Sequence, residues 1–204
     1  MLAKRRIPLI EDDIYGEMYF GEHRPKTCKT FDREGLVLQC GSFSKSLAPG
    51  YRVGWAIPGQ WIRQVTHNKL IHSVSSPPLQ QAAIAWFLEN GRYELHLKRL
   101  RKALHTQCLR YLQAIQEYFP DAIRITRPAG GFVLWIELPP RLNAFDLYRA
   151  AIREGISFAP GQIFSTQGSK YLNFMRISFG RPFDDNVERG IQKLGQLVHE
   201  RLAV

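Results

Sequence analysis

Two serines stand close to one lysine in the middle of the chain's first half. Ser42 and Ser44 precede Lys45, and Arg52 follows it beyond a Pro-Gly turn. A lysine amine can hold an aldehyde as an imine and then move a proton, while hydroxyl groups and a guanidinium fit a phosphate. Considered alone, Lys45 also fits a solvated loop lysine, so its interpretation depends on the rest of the chain.

The elements next to Lys45 are predicted as strands. Apolar runs at residues 36–40 and 53–57 predict one strand before the lysine turn and one after it. Two helices should follow, one near residues 61–70 and one at residues 79–88, with Pro78 well placed in the first turn of the second.

Acidic residues follow an earlier apolar run, residues 7–10. This pattern is typical of a buried parallel strand that delivers acids at its carboxyl end, where ligands bind in open α/β sheets. Tyr15 lies three residues after Asp12, so both side chains can enter the same crevice. A plain acidic cap on the strand end is the alternative, and a metal site is not expected because no further ligand lies at a suitable spacing.

The longest predicted helix runs from residue 93 to residue 119, where apolar side chains recur every three or four positions. Its basic side chains are interpreted as a solvated face and not as a nucleic-acid patch, since no DNA-binding or RNA-binding signature accompanies them. These basic residues are Lys98, Arg99, Arg101 and Lys102. The second half should then be α+β, with strands near Ile123 and at residues 131–138, 156–159 and 171–180. Helices are predicted at residues 145–154 and at the end of the chain, where Asp184 is a plausible N-cap.

The bulk composition indicates a globular protein. Of the 204 residues, 45% are hydrophobic, and no apolar run approaches the roughly 18 residues of a membrane span. Three cysteines without CxxC spacing, and no recognisable signal peptide, favour a reducing cytoplasm. The formal charge of +10 permits anionic partners without choosing among them.

Arg176 stands in the middle of an apolar strand, Phe-Met-Arg-Ile-Ser-Phe. A charge in such a position is costly unless it is partnered. The sequence therefore predicts either a bound anionic ligand or a structural salt bridge at Arg176.

Four motifs in this order resemble the pyridoxal-phosphate (PLP) dependent aminotransferases of class I and II, fold type I. They are Asp12-Asp-Ile-Tyr15, Ser42-Phe-Ser-Lys45 with its Ala-Pro-Gly-Tyr-Arg52 continuation, Pro128-Ala-Gly-Gly131-Phe, and the strand around Arg176. The resemblance implies an α/β fold. Residues 1–92 would form the carboxyl-terminal part of a three-layer, PLP-binding large domain with a mostly parallel sheet. Residues 93–204 would form a linking helix and an α+β small domain.

The resemblance also implies roles. Lys45 would be the catalytic lysine that forms an aldimine with pyridoxal 5′-phosphate, and Arg176 would bind the carboxylate of the substrate. The implied cofactor-binding residues are Asp12 on the pyridinium nitrogen, Tyr15 on O3′, Ser42, Ser44 and Arg52 on the phosphate, and Lys45 itself.

The family's first half has no counterpart before Asp12, so the sequence looks like the carboxyl-terminal portion of a longer protein. A sheet lacking strands should leave apolar surface uncovered, and PLP binding by the 204 residues alone is expected to be weak or absent.

The style of the motifs is similar to the MocR branch of the GntR transcriptional regulators. This resemblance implies an effector domain that senses an amino compound, binds DNA only through an absent N-terminal domain, and forms a homodimer when full length. Two alternatives share the motifs: a 2-aminoadipate-type transaminase acting on an amino acid and a 2-oxo acid, and a truncated, non-catalytic fragment.

Overall fold

Alternating burial defines the central strand of the chain's first half. The computed structural model describes residues 2–203, and β2 (Val37–Ser42) buries every second residue. β2 pairs in parallel with β1 (Leu9–Asp12) and antiparallel with β3 (Gly54–Ile57), which gives the order β1-β2-β3. The expected mostly parallel sheet therefore carries one antiparallel edge strand.

This sheet leaves apolar side chains uncovered, as predicted for a sheet that lacks strands. β3 is exposed along its whole length, and Ile10 of β1 is 74% exposed. The strands are followed by α1 (Ile62–Ser73) and α2 (Pro78–Glu89). Pro78 occupies the first turn of α2, as predicted. Proline lacks a backbone N–H, and an N–H in the first turn of a helix would have no intrahelical acceptor.

A single carboxylate organises the connection between β1 and β2. Asp32 accepts hydrogen bonds from the Lys29 ammonium at 2.8 Å and from the backbone N–H groups of Leu36 and Val37 at 3.0 Å each. These bonds favour the ionised carboxyl group and hold its pKa well below the ordinary range, the Lys29 bond contributing most.

We expect Asp32→Asn to lower the midpoint of thermal unfolding at neutral pH, because the amide loses the ion pair. A depressed folded-state pKa gives stability that is present above the unfolded pKa of about 4 and is lost as the pH falls through the folded value. The difference in unfolding midpoint between wild type and variant should therefore shrink as the pH is lowered from about 5 towards 2. Circular dichroism melts over this range test the prediction, with Asp121→Asn as an exposed control. A gap that stays constant with pH would contradict it.

The chain divides into two compact units, residues 1–101 and residues 102–204. The division falls inside the longest helix, α3 (Arg92–Tyr118), so the predicted boundary between residues 92 and 93 marks the start of that helix. Among residues 2–203, no helix combines the length and the apolar character that crossing a membrane requires.

The second unit contains an antiparallel sheet of order β4-β5-β7-β6. Its strands are β4 (Arg124–Ile125), β5 (Val133–Glu137), β6 (Ala159–Pro160) and β7 (Phe174–Ser178). One face of β5 and β7 is buried, with Leu134, Ile136 and Met175 fully covered. This buried face belongs to the core of the unit.

Two helices complete the second unit: α4 (Ala144–Arg153) and α5 (Asp185–Ala203). Asp184 accepts a hydrogen bond from the Val187 N–H at 2.8 Å, which confirms the predicted N-cap. Gly195 lets α5 approach the end of α3 closely, because a Cβ there would overlap the backbone carbonyl of Tyr118.

Candidate functional site

The candidate residues of the first unit meet at one edge of its sheet. β1 and β2 run in parallel, with Asp12 opposite Cys40, so both strands end at the same edge. β3 starts at that edge because it is antiparallel, with Gly54 opposite Ser42. Strand direction thus brings together the ends of segments that are distant in the sequence.

The lysine lies in a tight turn between β2 and β3. The N–H groups of Leu47 and Ala48 both donate to the Phe43 carbonyl, at 2.9 and 2.8 Å, and the Phe43 N–H donates to the Val53 carbonyl at 3.1 Å. Lys45 is exposed at the tip of this turn. The backbone therefore places Lys45 at the sheet edge and not within the core.

Three polar groups converge beside the lysine, as the sequence predicts. The Ser42 and Ser44 hydroxyl oxygens lie 3.0 Å apart, and Arg52 donates to the Ser44 hydroxyl at 3.2 Å. Arg52 has φ 55° and ψ 38°, a left-handed conformation that is unfavourable for a residue with a Cβ. Strain of this kind concentrates at functional sites, and the arrangement offers hydroxyl and guanidinium donors to one anion.

Gly41, just before these serines, lets the side chain of Trp55 on β3 pack closely against β2. The indole ring of Trp55 lies across Gly41, and a Cβ at residue 41 would overlap that ring. The large side chain on β3 thus requires the small residue on β2, which explains a glycine at this position in a strand.

The three acids at the end of β1, Glu11, Asp12 and Asp13, have separate environments, which distinguishes between them. Glu11 accepts the N–H groups of Cys28 and Lys29 at 2.6 and 3.0 Å, and so caps a short 3₁₀ turn. Asp13 forms an ion pair with Arg24. Asp12 is exposed and accepts only a long hydrogen bond from the Ile14 N–H, at 3.4 Å, among the described residues. Asp12 is therefore the acid that is available to a ligand.

Arg24 and Gln39 hold the carboxylate of Asp13 in place. Gln39 is 6% exposed and donates to Asp13 at 3.1 Å, and Arg24 also donates to Glu17 at 2.8 Å. Burial alone would lower the pKa of Arg24, but its hydrogen bonds with Asp13 and Glu17 outweigh that effect and raise it. The cluster anchors the turn that carries Tyr15, which is 38% exposed.

Arg176 lies in the second unit, on β7, opposite Trp135 of β5. Its guanidinium carbon is 4.5 Å from the centroid of the Phe164 ring. None of the ion pairs formed among residues 2–203 includes Arg176, so the structural salt bridge is not seen. A cation held by an aromatic face keeps its hydrogen-bond donors available for a carboxylate.

Helix α3 contributes residues that sequence reasoning missed. Tyr93 and His96 contact the residue after Lys45, and Arg101 donates to the Glu17 carbonyl at 3.3 Å. The interpretation of the basic cluster as a solvated face is therefore wrong for Arg101, whose guanidinium also stacks on Tyr19. The spacing of Tyr93 and His96 places both on one helix face and was the available signal.

Comparison with known proteins gives a consistent result. The family model "Aminotransferase class I and II" matches residues 1–194. The uncharacterized HTH-type transcriptional regulators YdcR and YjiR of Escherichia coli (strain K12) are 39% and 41% identical to the chain, over 99% and 98% of its length. The chain spans 43% of the length of each of these relatives.

Among solved structures, the α-aminoadipate aminotransferase LysN from Thermus thermophilus, complexed with N-(5′-phosphopyridoxyl)-L-leucine, is 33% identical with a TM-score of 0.93. The match covers 100% of this chain and 53% of LysN. The fold of the present chain is thus that of about half of such a protein.

Proposed function

The chain belongs to the class I and II aminotransferase family, and we propose that it is the PLP-binding effector domain of a GntR/MocR-type transcriptional regulator. The observation that carries the proposal is the sheet edge at which Lys45, Asp12 and the Ser42, Ser44 and Arg52 cradle meet. The two HTH-type regulators, similar to the chain over almost all of its length, favour the regulatory role.

The residues at this edge fit pyridoxal 5′-phosphate. Ser42, Ser44 and Arg52 would hold its phosphate, because they combine hydroxyl donors with a permanent cation. The Asp12 carboxylate would keep a proton on the pyridine nitrogen, and the Tyr15 hydroxyl would bind O3′. When bound, the cofactor supplies an aldehyde and a ring that accepts electrons.

Lys45 has two tasks in this proposal. Its amine would hold the cofactor aldehyde covalently, and its Nζ would move a proton to and from the bound amino compound. Lys45 is exposed in its turn, at the end of the sheet where the other candidate residues lie.

Arg176 would bind the carboxylate of the amino compound through its planar, bidentate guanidinium. Residues 1–92 would be part of the large domain, and residues 93–204 the linking helix and the small domain. In the full-length protein we propose a homodimer in the cytoplasm that binds DNA through a separate N-terminal domain.

A transaminase is the second candidate, favoured by the similarity to the α-aminoadipate aminotransferase LysN. The same residues would then transfer an amino group from an amino acid to a 2-oxo acid. The third candidate, a non-catalytic fragment, applies to the 204 residues alone, whose cofactor site would lack the contacts of the family's first half.

Borohydride reduction of the full-length protein with PLP tests the proposal. We expect one pyridoxyl group per chain, on Lys45, located by peptide mass spectrometry. Residues 1–204 expressed alone, which provide a control, should be labelled weakly. A label on a different lysine would overturn the site.

A panel of amino acids then separates regulator from enzyme. We expect the cofactor absorption to change on addition of the effector without net conversion to pyridoxamine phosphate. Rapid conversion, with a 2-oxo acid restoring the original spectrum, would instead identify a transaminase. A helix-turn-helix encoded upstream of residue 1 would support the regulator independently.

A further inference from the structure

The residue after the candidate lysine is held by a helix that the proposed mechanism does not use. Ser46 is only 3% exposed. Its hydroxyl lies 2.9 Å from the Tyr93 hydroxyl, and its carbonyl oxygen lies 2.8 Å from His96 Nε2. Both polar groups of Ser46 that face α3 are therefore engaged by that helix.

Tyr93 also contacts the other side of the lysine turn. Its ring meets the Phe43 ring edge to face, with centroids 5.9 Å apart. One side chain thus touches the turn both before and after Lys45. Burial raises the pKa of the Tyr93 phenol, more than its hydrogen bond with Ser46 lowers it, so the phenol stays protonated and able to donate.

The hydrogen bond between His96 and the Ser46 carbonyl has only one possible donor. A backbone carbonyl only accepts, so His96 Nε2 must carry a proton and donate it. The ring edge packs against Phe87 of α2, with centroids 6.4 Å apart and an interplanar angle of 76°. This packing orients the imidazole towards Ser46.

The same stretch of α3 also contacts the segment that follows β1, residues 13–19. Arg101 donates to the Glu17 carbonyl, and its guanidinium carbon is 4.6 Å from the centroid of the Tyr19 ring. Glu17 and Tyr19 follow Asp12 and Tyr15 in the sequence. The first turns of α3 therefore contact both segments that carry the candidate cofactor residues of the first unit.

We propose that Tyr93 and His96 are positioning residues for Lys45, acting through Ser46. The inference rests on the proposed role of Lys45 as the cofactor lysine. A covalent bond to a cofactor that other groups hold requires the amine to start from a fixed backbone position, and a misplacement of about 1 Å can cost about a hundredfold in rate. The two α3 side chains add to that constraint, because they hold Ser46, the residue next to Lys45 in the chain.

The decisive experiment compares Tyr93→Phe with Tyr111→Phe in the full-length protein. Tyr93→Phe removes the hydroxyl and keeps the ring on Phe43. Tyr111 lies on the same helix, is buried, and donates to the Arg181 carbonyl at 3.4 Å, so its variant removes a tyrosine hydroxyl elsewhere on the helix. Three measurements apply to each variant: the PLP dissociation constant, the pH midpoint of the absorption of the lysine-bound cofactor, and the thermal unfolding midpoint.

We expect Tyr93→Phe to weaken PLP binding about fivefold to tenfold, the effect of one lost hydrogen bond at a buried partner. It should also displace the pH midpoint, whereas Tyr111→Phe should change neither. In the cofactor-free protein, hydrogen exchange at the Leu47 and Ala48 amides should become faster in Tyr93→Phe alone.

His96 provides a rescue test. His96→Gln retains an N–H donor for the Ser46 carbonyl, and His96→Leu does not. We expect PLP affinity to follow the order wild type, His96→Gln, His96→Leu, with the glutamine variant recovering most of the loss.

Three results would overturn the inference. If Tyr93→Phe kept the PLP affinity and the pH midpoint of the wild type, the positioning role would be wrong, while the proposed function of Lys45 would be unaffected. An equal loss in Tyr111→Phe would show general destabilisation of α3. Absence of a pyridoxyl group on Lys45 in the wild type would overturn the proposed function and the inference with it.

Discussion

Replacing Lys45 by alanine in the full-length protein should abolish covalent attachment of PLP. The variant should show no pyridoxyl peptide after borohydride reduction and no absorption from the lysine-bound cofactor. It should still bind PLP noncovalently, because Ser42, Ser44 and Arg52 remain to hold the phosphate. The effect is expected to be complete, since no other side-chain type in the cradle can form the bond.

The control for this experiment is Lys26→Ala, which removes another exposed lysine of the first unit. It should be labelled on Lys45 like the wild type. Thermal unfolding of Lys45→Ala should match the wild type, because the exposed lysine contributes little packing. A pyridoxyl group on another lysine of the Lys45→Ala variant, with unchanged stoichiometry, would show that the cofactor site lies elsewhere.

The sequence predicts where the helices and strands of this chain lie better than it predicts whether neighbouring strands pair in parallel or antiparallel. Hydrophobic periodicity places α3 and the strands β1 and β2 within a few residues of where they lie. The pairing of β3 is not encoded in that signal, because a short apolar run fits a parallel or an antiparallel neighbour equally. The antiparallel direction follows from the short connection through the lysine turn.

For the candidate site too, the sequence predicts some features and tertiary contacts determine others. Residue types and spacing are sufficient to select Lys45, the serines and Arg52, and the structure places Arg52 against Ser44. Asp12 is selected over Asp13 through the resemblance, by its spacing to Tyr15, and the structure adds a physical distinction between the two acids. That distinction depends on Arg24, whose approach to Asp13 is a tertiary contact across 11 residues.

The spacing of Tyr93 and His96 indicates a shared face of α3, but the sequence pattern does not show what that face contacts. A helix segment that carries Tyr93, His96 and Arg101 among leucines has the same periodicity whether it packs on a loop or faces solvent. Only the partner decides, and the partners are Ser46, Glu17 and Tyr19, which lie between 47 and 84 residues away in sequence. The charge of Arg101 favours a solvent-exposed position, but an arginine can bury its methylene groups and stack its guanidinium on an aromatic ring.

Replacing Arg176 by lysine should separate substrate binding from cofactor binding. Lysine keeps the positive charge and loses the planar fork that binds a carboxylate through two parallel hydrogen bonds. It also loses most of the stacking on Phe164, whose ring centroid lies 4.5 Å from the guanidinium carbon. We therefore expect the affinity for the amino compound to fall by about tenfold to a hundredfold, the range for one charge-assisted hydrogen bond, while PLP remains bound to Lys45.

The matched control for this prediction is Arg149→Lys. Arg149 also stacks on a phenylalanine, with its guanidinium carbon 4.8 Å from the Phe145 ring centroid, but it lies on α4 and not in the central sheet. The control should keep full affinity for the amino compound. Titrations with an amino acid and with the corresponding decarboxylated amine sharpen the result further. If Arg176 binds the carboxylate, the variant loses affinity for the amino acid and not for the amine. Equal losses for both ligands, or unchanged affinity for the amino acid, would remove Arg176 from the binding site.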